Sequence, residues 1–198
     1  MRFSSLQIEG AGVVSVERLL DPRGFFARTF CTVEFEEFGL PTAFVQSSTS
    51  FNHKKGTIRG MHFQWPPSCE SKLVRCVQGH LYDVLLDLRP QSVTYLRHEA
   101  VILDSENRDA VYVPAGVAHG FQTLKDDTEV LYQMTDFYAS KLSAGIRWDD
   151  PEFDIRWPLS EVVLSERDRG FPNFSRALFE EELSRREISG RNQARVDA

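Results

Sequence analysis

Short stretches of alternating apolar and polar residues, each followed by turn-forming residues, run through the middle of the chain. Five such stretches predict β-strands, at residues 73–77, 81–88, 100–103, 111–113 and 129–135. Glycine, proline, asparagine or aspartate interrupts the pattern at intervals too short for the helical crossovers of a parallel sheet. The sequence therefore predicts an all-β fold, a jelly-roll sandwich or barrel with a few short peripheral helices.

Helical signals are confined to two places. A short helix is predicted near residues 33–38, and Ser175 is a candidate cap for a charged helix over residues 176–187. This tail carries apolar side chains that would dock on the body or on a partner subunit, namely Leu178, Phe179, Leu183 and Ile188. We therefore predict one jelly-roll domain over residues 1–174 and a charged tail over 175–198, helical at first and disordered beyond Gly190.

Strand alternation predicts which side chains share a face, because successive residues of a strand point in opposite directions. Within residues 129–134, Tyr132 shares its face with Val130 and Met134 and is predicted to point inward. Within residues 45–50, one face carries only polar side chains, those of Gln46, Ser48 and Ser50. A polar stripe of this kind is unusual for a core face and typical of a ligand cavity.

The segment 58–63 leaves one question of orientation open. Simple alternation places Arg59 and His62 on opposite faces of a strand. A bulge at Gly60 would re-aim one of them, because it inserts one residue into the pattern. The sequence alone does not decide between these two arrangements.

Composition and charge exclude several kinds of partner. The 198 residues, 41% of them hydrophobic, suffice for one buried core. The formal net charge of -6 argues against a nucleic-acid or anionic-membrane partner, yet it allows a small anionic ligand held by local arginine and lysine. Residues 1–10 contain no continuous apolar run, so we expect no signal peptide or membrane span and a cytoplasmic protein.

The cysteines and histidines give no metal signature. The three cysteines, Cys31, Cys69 and Cys76, have no CxxC spacing, and we interpret them as reduced packing residues. The five histidines form no HxH or HExxH pair, which weakens a metal-site hypothesis.

Several residues are candidates for chemistry, and each also has a purely structural interpretation. His62 and His119 both lie at junctions of strand and turn, where a histidine satisfied by core hydrogen bonds is an equal alternative. Tyr132 would ordinarily be a buried aromatic with its hydroxyl hydrogen-bonded. Asp168 would ordinarily be a solvated turn residue, and Lys72 an exposed residue at a strand edge. The residues by themselves leave these alternatives open.

A series of short motifs resembles a known family. In chain order they are DPRGFF at 21–26, FVQ at 44–46, IRGMHF at 58–63, KLVR at 72–75, VPAG at 113–116, AHGF at 118–121, LY at 131–132, WDD at 148–150, IRWP at 155–158 and LSERD at 164–168. Each motif is weak alone, but their occurrence in this order is specific. The sequence resembles the dTDP-4-dehydrorhamnose 3,5-epimerases, a cupin-type jelly-roll family active as homodimers, over roughly residues 19–172.

The resemblance implies roles for four catalytic residues. A ketone at C4 of a sugar acidifies the hydrogens on C3 and C5, so epimerisation needs a base, an acid and a group that holds the enolate charge. By resemblance His62 is the base, and Asp168 is the carboxylate that orients it. Tyr132 is the proton donor on the opposite face, and Lys72 holds the C4 oxygen. The resemblance implies no cofactor and no metal.

The resemblance also implies a substrate-binding set and a partner. Residues matching positions that bind the sugar, its diphosphate or the nucleotide are Arg23, Gln46, Ser48, Arg59, His119 and Arg167, and Phe26 and Tyr138 would stack on the ligand or close the site. Guanidinium groups suit bidentate contacts with phosphate. The implied partners are a nucleotide-diphosphate 4-keto-6-deoxy sugar and a second copy of the chain, with exchange of N-terminal strands in the dimer.

Three positions depart from the family pattern. Arg28 replaces a carboxylate near the nucleotide, Ser48 replaces an asparagine, and Ser143 replaces a glutamate that often contacts the ligand. These departures leave open the nucleotide, the number of centres inverted and the end product.

Three alternatives to the double epimerase follow. The first is a mono-epimerase acting at C3 or C5 of a different nucleotide sugar. The second is a metal-dependent cupin enzyme using His62 and His119. Such metal sites normally have clustered histidines, whereas the residue two positions after His62 is Gln64. A sugar-nucleotide binding module without catalysis ranks last, because the proposed base, its partner and the acid are all present.

Overall fold

The computed structural model describes residues 1–196 and consists mainly of two antiparallel sheets. The larger sheet contains, in spatial order, β1 (Arg2–Ser5), β2 (Gly12–Ser15), β10 (Ala110–Val113), β7 (Lys72–Gln78), β12 (Thr128–Met134) and β5 (Gln46–Asn52). The smaller sheet contains β13 (Ser143–Gly145), β6 (Ile58–Gln64), β11 (Val117–Thr123), β8 (His80–Asp87) and β9 (His98–Asp104). The two sheets do not close into one barrel among the described residues, so the fold is the sandwich form of the predicted jelly roll.

A separate hairpin and three helices complete the described chain. The hairpin consists of β3 (Arg18–Asp21) and β4 (Gly24–Ala27) and joins neither sheet. Its apolar side chains are largely uncovered, with Leu20 79% and Phe26 71% exposed. The helices are α1 (Thr32–Glu37), α2 (Glu166–Arg169) and α3 (Arg176–Val196). No helix among residues 1–196 is long and apolar enough to cross a membrane.

Three apolar layers hold the sandwich together. The inner layer lies between the sheets and includes Val74, Leu85 and Phe121. A second layer covers the outside of the smaller sheet and includes Met61, and there Phe179 of α3 packs against Phe63 and Trp65. A third covers the outside of the larger sheet and includes Phe35 of α1. Burial of the inward-facing residues of each strand is the main stabilising term in such a sandwich. The cavity described below interrupts the inner layer.

Most elements predicted from the pattern are present. The five predicted strands correspond to β7, β8, β9, β10 and β12, and the predicted helix near residues 33–38 corresponds to α1. The pattern did not predict β1, β2, β11, β13, the β3–β4 hairpin or the short helix α2. The N-terminal strand β1 pairs with β2, and β2 pairs in turn with β10 of the same chain.

The C-terminal tail begins as expected. Helix α3 starts at Arg176, directly after Ser175, and Phe179 and Leu183 dock on the outside of the smaller sheet. Its backbone is helical to Val196, beyond Gly190, where the sequence predicted disorder to begin. Asp197 and Ala198, which belong to the same predicted tail, lie outside the described residues. The division into a domain over 1–174 and a tail over 175–198 stays a prediction.

Candidate active site

A cavity of about 350 Å³ lies between the two sheets. The larger sheet contributes side chains of β5, β7 and β12, and the smaller sheet contributes side chains of β6 and β13. Seven of the residues predicted for the site line it, namely Gln46, Ser48, His62, Lys72, Tyr132, Tyr138 and Arg167. The polar stripe predicted on residues 45–50 therefore faces a cavity, as its composition indicated.

His62 and Asp168 form a close pair at the wall of this cavity. The Nε2 atom of His62 lies 2.6 Å from Oδ1 of Asp168, whose side chain is almost fully buried. Ser165 caps α2 by accepting a hydrogen bond from the Asp168 backbone N–H, which fixes the start of this short helix. Burial raises the pKa of Asp168, but the hydrogen bond and charge of His62 outweigh it and hold that pKa below its ordinary value. The carboxylate is therefore ionised and keeps the Nε2–H tautomer of His62.

A bulge in β6 decides the orientation that the sequence left open. His119 of β11 pairs with His62, and Phe121 pairs with Arg59, so two residues on β11 span three on β6. The extra residue places Arg59 and His62 on the same face, and simple alternation was wrong here. Gly60, with φ of +136°, provides the left-handed backbone that the bulge uses. Arg59 does not line the cavity and donates from Nε to Asn52 Oδ1 at 2.7 Å.

Tyr132 reaches the cavity from the opposite sheet. It pairs with Ser48 of β5 and Val74 of β7, and its hydroxyl lies 3.1 Å from Ser50 Oγ. Burial raises the pKa of the Tyr132 hydroxyl strongly, and the nearby charge of Asp83 adds to the shift, while the Ser50 hydrogen bond opposes it. Tyr132 therefore carries its proton throughout the physiological range. Its predicted inward orientation is confirmed by its packing against the inner layer.

His119 lies behind Tyr132 and does not line the cavity. It is 5% exposed, and its ring centroid lies 6.4 Å from that of Tyr132 in an edge contact. Its Nε2 lies 2.9 Å from Oδ2 of Asp83, a fully buried carboxylate whose pKa is raised by burial. His119 therefore contacts Tyr132 and does not face the cavity.

Glu70 is a cavity residue that the sequence analysis missed. It forms an ion pair with Lys72, and both side chains are mostly buried. Its second oxygen accepts a hydrogen bond of 2.8 Å from Gln64 Nε2, and Gln64 Oε1 accepts one of 2.8 Å from the Ala139 backbone. Lys72 is therefore held by a carboxylate within the cavity lining. The position of Glu70, two residues before the candidate Lys72, was the feature of the sequence that could have indicated this ion pair.

The loop after β12 brings Tyr138 to the cavity. Gln46 accepts a hydrogen bond of 2.5 Å from the Tyr138 backbone N–H, and Gln64 binds the next residue along the chain. Two buried or half-buried glutamine side chains therefore clamp this loop beside the site. Tyr138 itself is more than half exposed, which leaves its ring available to a ligand.

Arg167 and Ser143 meet at the cavity wall. Arg167 Nη2 donates to Ser143 Oγ at 2.7 Å, so this guanidinium is paired with a neutral side chain. Arg28, which is also among the departures from the family pattern, pairs with Glu34 at 2.8 Å, outside the cavity. Arg23 and Phe26 lie on the exposed β3–β4 hairpin and do not line the cavity of their own chain.

The metal-dependent alternative lacks a donor set. Among residues 1–196, no three or more histidine, cysteine, aspartate or glutamate side chains converge as a metal site would require. His62 and His119 instead bind separate carboxylates, Asp168 and Asp83.

Comparison with known proteins shows the family of this chain. The family model described as dTDP-4-dehydrorhamnose 3,5-epimerase matches residues 5–176. The chain belongs to the dTDP-4-dehydrorhamnose 3,5-epimerase family. It is thus an enzyme of the epimerase type, a class of isomerase.

Three relatives illustrate the range of the epimerase family. The chain is 40% identical to a dTDP-4-dehydrorhamnose 3,5-epimerase of Sinorhizobium fredii, over 87% of this chain and 89% of the relative. It is 36% identical to a dTDP-4-dehydrorhamnose 3-epimerase of Streptomyces niveus, over 85% and 82% of the two chains. The crystal structure of a 3,5-epimerase of Legionella pneumophila in complex with dTDP-4-keto-L-rhamnose superposes with a TM-score of 0.84 at 33% identity, covering 92% of this chain and 96% of that one.

Proposed function

We propose that this protein inverts one or both carbon centres beside the ketone of a nucleotide-linked 4-keto-6-deoxy-hexose, in deoxysugar biosynthesis of the dTDP-rhamnose type. One observation carries the proposal: His62 and Tyr132 line the same cavity from two facing sheets. Inversion requires a proton to leave one face of the carbon and to return to the other. Groups on facing sheets are suited to serve the two faces of a flat enolate between them.

His62 is the proposed base. Its Nε2–H is engaged by Asp168, and Nδ1 has no hydrogen-bond partner among the described residues. A neutral imidazole can take the proton from C3 or C5 at Nδ1, and the ionised Asp168 then stabilises the imidazolium. The pair leaves the cavity side of the ring open to substrate.

Tyr132 is the proposed acid, and Lys72 the proposed holder of the enolate. The raised pKa of Tyr132 keeps its proton in place at neutral pH, as a general acid needs. Lys72 presents its ammonium group to the same cavity, where a negative charge forms on the C4 oxygen. Its ion pair with Glu70 restrains the ammonium without filling all three of its donors.

The proposed substrate is a dTDP-4-keto-6-deoxy sugar, in keeping with the ligand bound by the Legionella pneumophila relative. Arg167 lines the cavity and has no carboxylate partner among the described residues, so its guanidinium remains available to a phosphate. The 3-epimerase of Streptomyces niveus gives a reason to keep the mono-epimerase as the second candidate, since it is nearly as similar as the 3,5-epimerases.

We further propose a homodimer in which the β3–β4 hairpin completes the site of the other subunit. The hairpin exposes large apolar side chains, and β5 leaves one edge of the larger sheet unpaired among the described residues. Both features would be covered if the hairpin of one copy lay along β5 of the other. This arrangement brings Arg23 and Phe26 beside Gln46 and Ser48, which line the cavity from β5.

The dimer has a direct test. In such a dimer each site combines His62 of one subunit with Arg23 of the other. The variants Arg23→Ala and His62→Asn should each be weakly active or inactive, and a mixture of them, after subunit exchange, should regain activity that neither has alone. Sedimentation of a monomer at micromolar concentration would contradict the dimer.

We propose a cytoplasmic location from the state of the cysteines. Cys31, Cys69 and Cys76 form no disulfide with one another, and Cys76 is buried in the inner layer. Reduced cysteines of this kind fit a reducing compartment.

Solvent exchange tests the activity. The purified protein is incubated in D₂O with dTDP-4-keto-6-deoxyglucose and, separately, with the analogues carrying other nucleotides, and deuterium is located at C3 and C5 by NMR. The double epimerase predicts label and inversion at both carbons, whereas the mono-epimerase predicts inversion at one. His62→Asn should abolish exchange at every reactive carbon. Exchange at the wild-type rate in that variant would refute the role of His62.

A further inference from the structure

Phe171 contacts the proposed base from a position that none of the predicted site residues occupies. It follows α2 by two residues, and its ring centroid lies 6.2 Å from that of His62, with the rings inclined by 67°. This is an edge-to-face contact of the kind that aromatic side chains prefer. The His62 side chain is 37% exposed, and its one side-chain hydrogen bond among the described residues is to Asp168.

The chain makes room for this ring at Gly145. Gly145 of β13 is the direct cross-strand neighbour of His62 on β6. A Cβ atom added to Gly145 would lie 2.3 Å from Cζ of Phe171, well inside van der Waals contact. Because Gly145 has no side chain, the ring of Phe171 can fill the space beside His62 that a cross-strand side chain would otherwise occupy.

The same ring also supports Arg167. The guanidinium carbon of Arg167 lies 5.9 Å from the Phe171 ring centroid, within range of a cation–π interaction. Arg167 lines the cavity and donates to Ser143 at the end of β13. One aromatic ring therefore touches the proposed base and a proposed phosphate-binding group at once.

We propose that Phe171 is a positioning residue for the site, one that holds the His62 ring against Asp168 and holds Arg167 at the cavity wall. The proposal rests on the proposed function, in which His62 is the base. A ring packed on His62 restricts rotation of the imidazole and keeps water from competing for Asp168. Small displacements of a catalytic group slow reactions strongly, by about 100-fold for a shift near 1 Å.

The two contacts predict different kinetic effects. In Phe171→Ala both contacts are lost, so kcat for exchange should fall by roughly ten-fold or more and KM should rise. In Phe171→Leu the apolar contact with His62 is kept but the π face beneath Arg167 is lost. That variant should recover most of kcat while its KM stays raised. Rescue of kcat alone is a result that a merely structural role would not give.

A matched control lies three residues further along the chain. Phe174 packs against Phe153 and Phe179, with centroid distances of 5.0 and 5.5 Å. Among the described residues, the aromatic ring that contacts His62 is that of Phe171 and not that of Phe174. Phe174→Leu should lower the thermal midpoint and leave kcat and KM near their wild-type values. Equal kinetic losses in the Phe171 and Phe174 variants would overturn the proposal, because they would indicate general loss of packing.

An activity-independent measurement separates this inference from the proposed function. The ¹⁵N NMR shifts of His62 report its tautomer, which should be Nε2–H in the wild type and mixed in Phe171→Ala. An unchanged His62 spectrum with kcat within two-fold of wild type would refute the positioning role. If His62→Asn keeps full exchange, the proposed function fails, and the NMR result still decides whether Phe171 orients His62. If Phe171→Ala does not fold, Phe171→Leu decides through KM, and an unchanged KM counts against the role.

Discussion

Gly60 and Gly120 pass in direct backbone contact where β6 pairs with β11. A Cβ atom on Gly60 would lie 2.4 Å from the Gly120 Cα atom and 3.0 Å from the His119 carbonyl oxygen. The contact is made by backbone atoms, which cannot move aside as a flexible side chain could. It lies within the bulge that turns Arg59 and His62 to the same face, so the geometry of the site depends on two residues without side chains.

Gly60→Ala should therefore lower both stability and activity. The new side chain meets backbone, and φ of +136° is unfavourable for alanine, so we expect a loss of at least about 1–3 kcal/mol in the free energy of unfolding. Urea denaturation followed by fluorescence measures it, and solvent exchange measures the activity. Gly24→Ala is a matched control for stability, because Gly24 has φ of +132° but no atom lies within 4 Å of the position that its Cβ would take. Equal stabilities of the two variants would contradict this account.

The bulge also marks a limit of sequence analysis. Alternation predicted the inward face of β12 and the polar face of β5, because both strands are regular over the residues concerned. In β6 one additional residue reverses the assignment of every side chain beyond it. Gly60 was visible as a candidate bulge, but the shift itself depends on pairing with β11, which is distant in sequence.

Contacts between distant segments account for the rest of what was missed. Glu70 and Gln64 acquire their significance only when β6, β7 and the loop at 136–139 come together. Phe171 matters because β13 places Gly145 opposite His62. Patterns within one short segment cannot predict contacts between segments that are distant in sequence. Turn residues and alternation predicted the strands. The resemblance to a family supplied the expected roles of His62, Tyr132, Lys72 and Asp168.

Asp168→Asn should reduce turnover and change the response to acid. The pKa of Asp168 lies below its ordinary value of 3.8, so its ionised form stabilises the folded protein above that pH. This stabilisation is lost as the pH falls through the lowered pKa. Asparagine removes it, so the variant should be less stable at neutral pH and lose less stability between neutral pH and acid than the wild type. Denaturant unfolding at several pH values measures the difference, and a parallel pH dependence in the two proteins would contradict it.

The same substitution addresses the tautomer of His62. An asparagine side chain cannot stabilise the imidazolium and can present its N–H₂ group to Nε2, so we expect kcat to fall by about 10²- to 10⁴-fold. Substrate binding should be nearly unchanged, since Asp168 lies behind His62 and does not line the cavity. Comparison with Asp149→Asn, which removes a carboxylate paired with the half-exposed Arg147, controls for loss of charge.

Exhaustive chelation should leave turnover unchanged. His62 and His119 each bind a carboxylate, and Gln64 is hydrogen-bonded to Glu70 and Ala139, so no open donor set is formed by the described residues. Turnover is measured before and after treatment with a strong chelator, and the metal content is measured in parallel. Activity that disappears and returns with one particular divalent ion would support the cupin metalloenzyme instead.

Tyr132→Phe should separate proton removal from inversion. The variant keeps His62 and Asp168 but loses the hydroxyl that hydrogen-bonds to Ser50. Deuterium should still enter the substrate by same-face return, whereas epimerised product should fall by about 10²- to 10⁴-fold, the usual contribution of a general acid. The measurement is the ratio of exchange to epimerised product, with Tyr138→Phe as control because Tyr138 also lines the cavity. Only loss of the residue that returns the proton can separate proton removal from inversion. A ratio that is unchanged in Tyr132→Phe but raised in Tyr138→Phe would therefore assign the acid role to Tyr138.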